Sequence, residues 1–228
     1  MGLVRQRRQQ DRMKTKIRDV RRQDLQRAAF DLLAESGFHG ATLGNIAARL
    51  GVSRGLVHHY FQSRDELLEA AVRYGNRMIS EQLVATVRHC KTPRQRLNAI
   101  VDANFSNEIY ITARAQYWVS YCAEATVSER FGRLLRIQNS RMRSNLLHDL
   151  RRLLPPRKAE HLAEVLSIFM DGIWVRKAVD GGFPERADAL RMIRQMLDMH
   201  LDAPPDGKRP SKRRATLESG ASRHRARS

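Results

Sequence analysis

The chain has 228 residues, of which 42% are apolar, and a net charge of +18, so it is long enough to bury a sizeable core. No run approaches the roughly 18 apolar residues of a membrane span, and no apolar stretch follows the basic N-terminus as a signal peptide requires, so no membrane partner is expected. The two cysteines, Cys90 and Cys122, fit no common zinc or disulfide framework, which points to a reducing, cytoplasmic setting.

The charge is concentrated at the ends. Residues 1–22 carry nine Lys/Arg against two acids, and residues 203–228 carry eight against two. Both segments are read as basic arms that repel themselves, stay extended and attract polyanions. The C-terminal one, with its Pro, Ser, Gly and Arg content, cannot build a core and is expected to be disordered, with or without a specific partner.

Between the arms, helical periodicity dominates. Leu25, Ala28, Ala29, Leu32 and Leu33 form one buried stripe, and Gly37 is placed to end that helix. Thr42 caps a second helix carrying Ile46, Ala47 and Leu50, which Gly51 breaks, and Ser53 caps a short third. Ser63, with Glu66 three residues on, opens a fourth helix reaching about Arg88. Thr92-Pro93 opens a fifth, with Leu97, Ile100, Val101 and Phe105. Further helices are expected over 112–125, over 129–153 up to Pro155-Pro156, and over 158–180 and 185–201, parted by Gly181-Gly182. No strand-like alternation of useful length occurs. The fold class is therefore all-α, a small three-helix N-terminal head followed by a larger helical bundle.

Ala47, Gly51 and Val57 form the pattern A-x3-G-x5-V. A small residue lets two helices cross closely, the glycine supplies a left-handed turn, and the valine packs the second helix on the first. This is the helix-turn-helix arrangement, whose second helix enters the DNA major groove. Adjacent histidines, His58 and His59, sit on that helix. Neighbours on a helix point about 100° apart and share no ligand site, so a metal role is not expected; packing of one histidine inside the head is the alternative. No metal-ligand spacing, nucleophile elbow, phosphate loop or dinucleotide fingerprint is present, so neither a cofactor nor catalysis is implied.

The segment "GFHGATLGNIAARLGVSRGLVHHYFQSRDELLEAAV", residues 37–72, resembles the DNA-binding segment of the TetR family of transcriptional regulators. The resemblance implies a helix-turn-helix DNA-binding domain over 23–72, a ligand-binding and dimerisation domain over 73–202, and double-stranded DNA as partner. It assigns phosphate contacts to Thr42, Ser53 and Arg64. It places Arg54, Leu56 and His58 at base edges and gives Gly55 a close approach to the duplex. His59 and Tyr60 meet base edge or backbone. Gly44 stands where a longer base-contacting side chain can occur, so readout from the second helix is expected to be weak. Residues 23–71 carry four Lys/Arg and six acids, so phosphate attraction rests on a few placed groups and the N-terminal arm.

In the C-terminal half, "ARAQYWVSYCAEA" puts Tyr117, Tyr121 and Glu124 on one face and Trp118, Cys122 and Ala125 on the adjacent one, with Phe105 and Tyr110 preceding them. "FMDGIWVRKAV" puts Asp171 and Trp174 one turn apart. Aromatic rings with a carboxylate are the ingredients of a cage for a cation, and equally of an ordinary core. "YWVSYCAEA", "RLLRIQNSRMRSNLLHDLRRLLP" and "DGIWVRKAV" are similar to the BetI-type branch, which responds to choline. That likeness implies a repressor relieved by a choline-like effector, which Trp118, Tyr121 and Trp174 would suit; with the spacing above, the candidate ligand residues are Phe105, Tyr117, Trp118, Tyr121, Cys122, Asp171 and Trp174. Cys122 stands where that branch leads one to expect a second aromatic, and Glu124 adds a charge, which leaves a different cation or a bulkier effector open. An apolar effector or none, and sequence-independent nucleic-acid binding, are the rival readings. Leu162, Val165, Leu166 and Phe169, with Leu190, Ile193, Met196, Leu197 and Leu201, are expected to form a homodimer interface, hence a pseudo-palindromic operator.

Overall fold

The computed structural model describes residues 2–201 other than Gly182, with side chains from Arg18 onward. The segment 203–228, read above as a basic disordered tail, lies outside the described residues. Nine helices and no strand occur among the described residues: α1 (Gly2–Gly40), α2 (Leu43–Leu50), α3 (Arg54–Tyr60), α4 (Arg64–Val87), α5 (Pro93–Asn104), α6 (Thr112–Val127), α7 (Glu129–Leu150), α8 (Pro156–Val179) and α9 (Arg186–Leu201).

Local chemistry sets the boundaries. The Thr42 hydroxyl accepts from the Asn45 backbone N–H at 3.1 Å, Ser53 from Leu56 at 3.2 Å, and Ser63 from Glu66 at 3.1 Å. Thr92 and Gln95 form a full capping box ahead of Pro93. Glu66 reaches one residue further back than a capping box requires, accepting from the Gln62 N–H at 2.8 Å. Gly51 ends α2 at φ 63°, ψ 32°, the left-handed turn the motif requires. Gly37, at φ 63°, ψ −171°, breaks α1 inside its last turns.

One expectation is corrected at the N-terminus. Residues 2–22 do not form an extended arm; their backbone is helical and continuous with α1. Residues 3–36 contain no Gly or Pro and are rich in Arg, Gln, Leu and Ala, whose helix preference outweighs the repulsion between like charges.

The core has two parts. One gathers Leu25, Ala29, Phe30, Leu33 and Phe38 of α1, Ile46, Ala47, Val57 and Phe61 of the turn region, and Leu67, Leu68 and Val72 of α4. Tyr117, Tyr121, Phe131 and Leu134, from α6 and α7, belong to this same cluster, so the head is fused to the body rather than joined by one helix. The other is built from α5, α7, α8 and α9 around Leu97, Leu146, Leu150, Leu162, Leu166, Ile193 and Leu197. The fully buried Asp149 carboxylate ties α7 to α5 by accepting from Arg96 Nε at 3.0 Å.

The second core corrects the interface expectation. Leu162, Leu166, Leu190, Ile193 and Leu197 are buried within the chain itself, and Val165, Phe169, Met196 and Leu201 are half-buried. α8 packs against α6, α7 and α9 together, which uses up its leucine side. The apolar side chains left exposed are on the adjoining face: Ile168, Val175 and Val179 of α8, 63%, 42% and 63% exposed, and Met199 of α9. No helix among the described residues is long and apolar enough to cross a membrane.

Candidate functional site

Two regions carry the candidate functional side chains. The first is the outer face of α2 and α3. Thr42, Ser53, Arg54, Gly55, Leu56, His58 and His59 are all at the surface there, while Val57, between them, is fully buried. Burial of that one valine fixes the rotation of α3 and turns the others outward. The Asn45 and Leu56 N–H groups are taken by the capping hydroxyls, and the N–H groups ahead of them in the first turn of each helix have no intrahelical acceptor, so phosphate oxygens suit those. The two histidines do not converge: His58 is exposed, and the His59 ring sits edge-on to Tyr60 at 5.2 Å. No cluster of three or more His, Cys, Asp or Glu side chains that could hold a metal ion occurs among the described residues.

Arg54 has a seat. A Cβ added at Gly44 would lie 2.6 Å from one terminal nitrogen of the Arg54 guanidinium, so the arginine lies across the glycine of α2. The space a side chain at Gly44 would occupy is filled by the arginine of α3. Tyr60 is half-buried against the head core, and its carbonyl accepts from Arg22 at 3.5 Å. Arg64 is engaged internally. Its Nε donates to the Ala41 carbonyl at 3.1 Å and a terminal nitrogen to the Phe38 carbonyl, binding the start of α4 to the end of α1. A phosphate at Arg64 would share it with these carbonyls.

The second region is a cavity of about 370 Å³ among α1, α4, the end of α5, α6, α7 and α8. Tyr117, Trp118, Asp171 and Trp174, four of the seven residues expected around an effector, line it. Phe105, Tyr121 and Cys122 do not. Phe105 is fully buried behind the wall, 5.9 Å from the Trp174 ring. Tyr121 lies under Tyr117, stacked at 5.8 Å and 10°, and stacks in turn on Phe38 of the head at 6.3 Å and 16°. Cys122 is half-buried, its thiol pushed up to about 11 by burial and by the nearby Asp171. The periodicity put Tyr117 and Tyr121 on one face correctly, but the head covers one of them.

The cavity also holds residues that aromatic spacing could not reveal: Phe30 and Asn76 from α1 and α4, Asn104 at the end of α5, and Gln138 from α7. Arg114 was within reach, since it stands three and four residues before Tyr117 and Trp118. Its guanidinium lies 4.7 Å over the Phe30 ring. Burial pushes the Asp171 carboxyl up to about 6, and among the described residues nothing donates a hydrogen bond to it. The group remains mostly ionised at neutral pH, in a chamber walled by two tryptophans. Glu164, at the rim, pairs with Arg143 at 3.8 Å.

Comparison with known proteins gives consistent matches over both halves. Residues 25–71 match the family described as bacterial regulatory proteins, tetR family, and residues 93–202 match the BetI-type transcriptional repressor, C-terminal family. The HTH-type transcriptional regulator BetI of Rhizobium meliloti (strain 1021) is 34% identical over 88% of this chain and 98% of its own length. BetI of Yersinia pestis (strain Pestoides F) is 33% identical over 83% and 96%. A transcriptional regulator of Saccharomonospora viridis, solved in complex with choline, superposes with a TM-score of 0.69 at 20% identity, over 79% of this chain and 96% of that one.

Proposed function

The chain belongs to the TetR family and carries a BetI-type C-terminal repressor domain, and from that premise we propose that the cavity beside Asp171 takes a cationic, choline-like effector that releases the protein from its operator. It is a DNA-binding transcriptional regulator, not an enzyme. Regulators of this family bind operator DNA and small-molecule effectors and typically dimerise.

The observation that carries the effector reading is an ionisable carboxylate without a hydrogen-bond partner among the described residues, in a chamber faced by Trp118, Trp174 and Tyr117. A quaternary ammonium cannot donate hydrogen bonds. It is held by ring faces and a nearby negative charge, and these rings and this carboxylate offer both. The choline complex of a protein with the same fold is consistent with this.

On DNA, Arg54 and His58 read base edges, with Leu56 against apolar groups such as a thymine methyl. Thr42, Ser53 and the first-turn N–H groups of α2 and α3 hold phosphates. His59 and Tyr60 meet the backbone, and Gly55 admits the duplex closely. The exposed face of α8 formed by Ile168, Gly172, Val175 and Val179 pairs with its copy in a two-fold dimer, with Met199 of α9 at its side. Two heads so related require a pseudo-palindromic operator. The protein acts where that DNA lies, in the cytoplasm.

Coupling between the regions runs through contacts already described. α4 packs on α1 in the head and on α5 in the body. Tyr117, at the cavity wall, stacks on Tyr121, which stacks on Phe38, whose carbonyl accepts from Arg64. An effector that displaces Tyr117 thereby reaches the junction of α1, α2 and α4. The ligand shifts operator affinity only as far as it favours one arrangement of this junction over the other.

Calorimetric titration of choline and tetramethylammonium against the protein, with and without an inverted-repeat operator fragment from its own upstream DNA, tests the reading. Binding that weakens in Trp118→Ala and Trp174→Ala and lowers operator affinity is expected. Absence of binding by both compounds refutes the cationic effector and leaves an apolar effector or none.

A further inference from the structure

The cavity contains more than a cation site. Four charged side chains line it: Arg114, Arg143, Glu164 and Asp171. Arg143 and Glu164 pair with each other at the rim. Arg114 and Asp171 do not pair, although both face the same chamber. Among the described residues the buried Arg114 Nε–H meets no acceptor, and the guanidinium has only the Phe30 ring face, at 4.7 Å, as a partner. The Gln138 side-chain oxygen, on another wall of the same cavity, is likewise buried and unbonded among the described residues.

Buried charges and buried polar atoms are costly unless something pairs with them. A simple cation would satisfy Asp171, but it would bring a second positive charge into a chamber that already holds the unpaired Arg114 guanidinium. A ligand carrying both signs satisfies each group with its opposite. Its anionic end accepts from the guanidinium, in the charge-assisted geometry that arginine offers carboxylates.

Resting on the cationic reading above, we infer that the effector is a zwitterion, a quaternary ammonium compound bearing a carboxylate, with its ammonium at Asp171 between Trp118 and Trp174 and its carboxylate at Arg114. The tryptophans and Asp171 recognise the class of cation, and Arg114 selects within it. The aliphatic and thioether walls from Met78, Ile79 and Met170 accommodate the methylene chain between the two charges.

The test is calorimetry on the full-length protein with three probes: choline, trimethylglycine and carnitine. The two carboxylates differ in the distance between their charges. The expected result is at least tenfold tighter binding of one carboxylate than of choline. That preference disappears in Arg114→Met and in Arg114→Gln, two neutral variants of which either suffices if the other fails to fold. Asp171→Asn weakens all three probes together. Choline binding as tightly as both carboxylates, or a preference that survives the neutral variants, overturns the zwitterion and leaves the cation site standing. Failure of all three to bind overturns both.

Discussion

Asp171→Asn is expected to make the protein more stable and less able to sense a cation. Burial raises the carboxyl from its ordinary value near 3.8 to about 6. A pKa displaced by one pH unit corresponds to about 1.4 kcal/mol, so keeping the group ionised in the folded state costs at most about 3 kcal/mol. The carboxyl still faces a cavity that water can enter, which lowers this to about 1–2 kcal/mol. Because the folded pKa lies above the unfolded one, the stability contributed by the protonated form is complete below pH 3.8 and lost as pH rises through 6. Above pH 6 the wild-type protein bears the cost in full. Asparagine, of the same shape, never ionises and escapes it.

In a chain of this size that corresponds to a melting temperature higher by about 2–8 °C at about pH 7.5. The gap should shrink to less than half near pH 4.5, where folded Asp171 is protonated. Thermal unfolding followed by circular dichroism, at one fixed protomer concentration because dimers melt concentration-dependently, gives both numbers. In parallel, choline affinity at neutral pH should fall at least tenfold. A variant that melts at or below wild type at neutral pH, or a gap of equal size at both pH values, would refute the claim that Asp171 is an ionised, unpartnered group in the cavity.

With wild-type protein, choline affinity should fall about tenfold between pH 7 and pH 5, since a carboxyl with a pKa of about 6 is then roughly nine-tenths protonated; a flat calorimetric profile argues against Asp171 as the counter-charge. Arg54→Ala should lower specific operator affinity about 10- to 100-fold in a gel-shift titration and relax base preference at one position of each half-site. Gly44→Ala should raise or preserve thermal stability, because alanine is the better helix former, yet weaken operator binding by displacing Arg54; that loss should vanish in an Arg54→Ala background, and additive losses would contradict the shared seat. Val175→Asp on the exposed α8 face should yield monomers by analytical ultracentrifugation with helicity unchanged, and a persistent dimer would move the interface elsewhere. Removing residues 1–18, which carry seven Lys/Arg, should flatten the salt dependence of DNA binding by about 0.9 log units for each phosphate that the shortened chain leaves unneutralised.

Helix boundaries and the helix-turn-helix follow from neighbouring residues alone. Thr42, Ser53, Ser63 and Thr92-Pro93 act on N–H groups within three residues, and Gly51 acts on its own backbone angles, so no distant partner is needed to read them. Ala47, Gly51 and Val57 likewise lie within a span short enough for two helices and their turn to specify one another. Such local rules also oriented Arg54, His58 and His59, because the single buried residue among them, Val57, belongs to the motif.

What each apolar helix face meets is a matter of long-range packing. Tyr117 and Tyr121 have the same spacing signature, yet one lines the cavity and the other is covered by Phe38, 83 residues earlier in the chain. The leucines of α8 and α9 and the Ile168, Val175, Val179 face of α8 are all apolar stripes of helical period. Only the packing of α6, α7 and α9 around α8 shows that the first closes on the chain's own core and the second stays open to solvent. Arg114 and Asp171 stand 57 residues apart, and no period links them. Helical periodicity states that a face is buried; which partner buries it depends on helices far away in sequence. The cavity exists only where six of them meet.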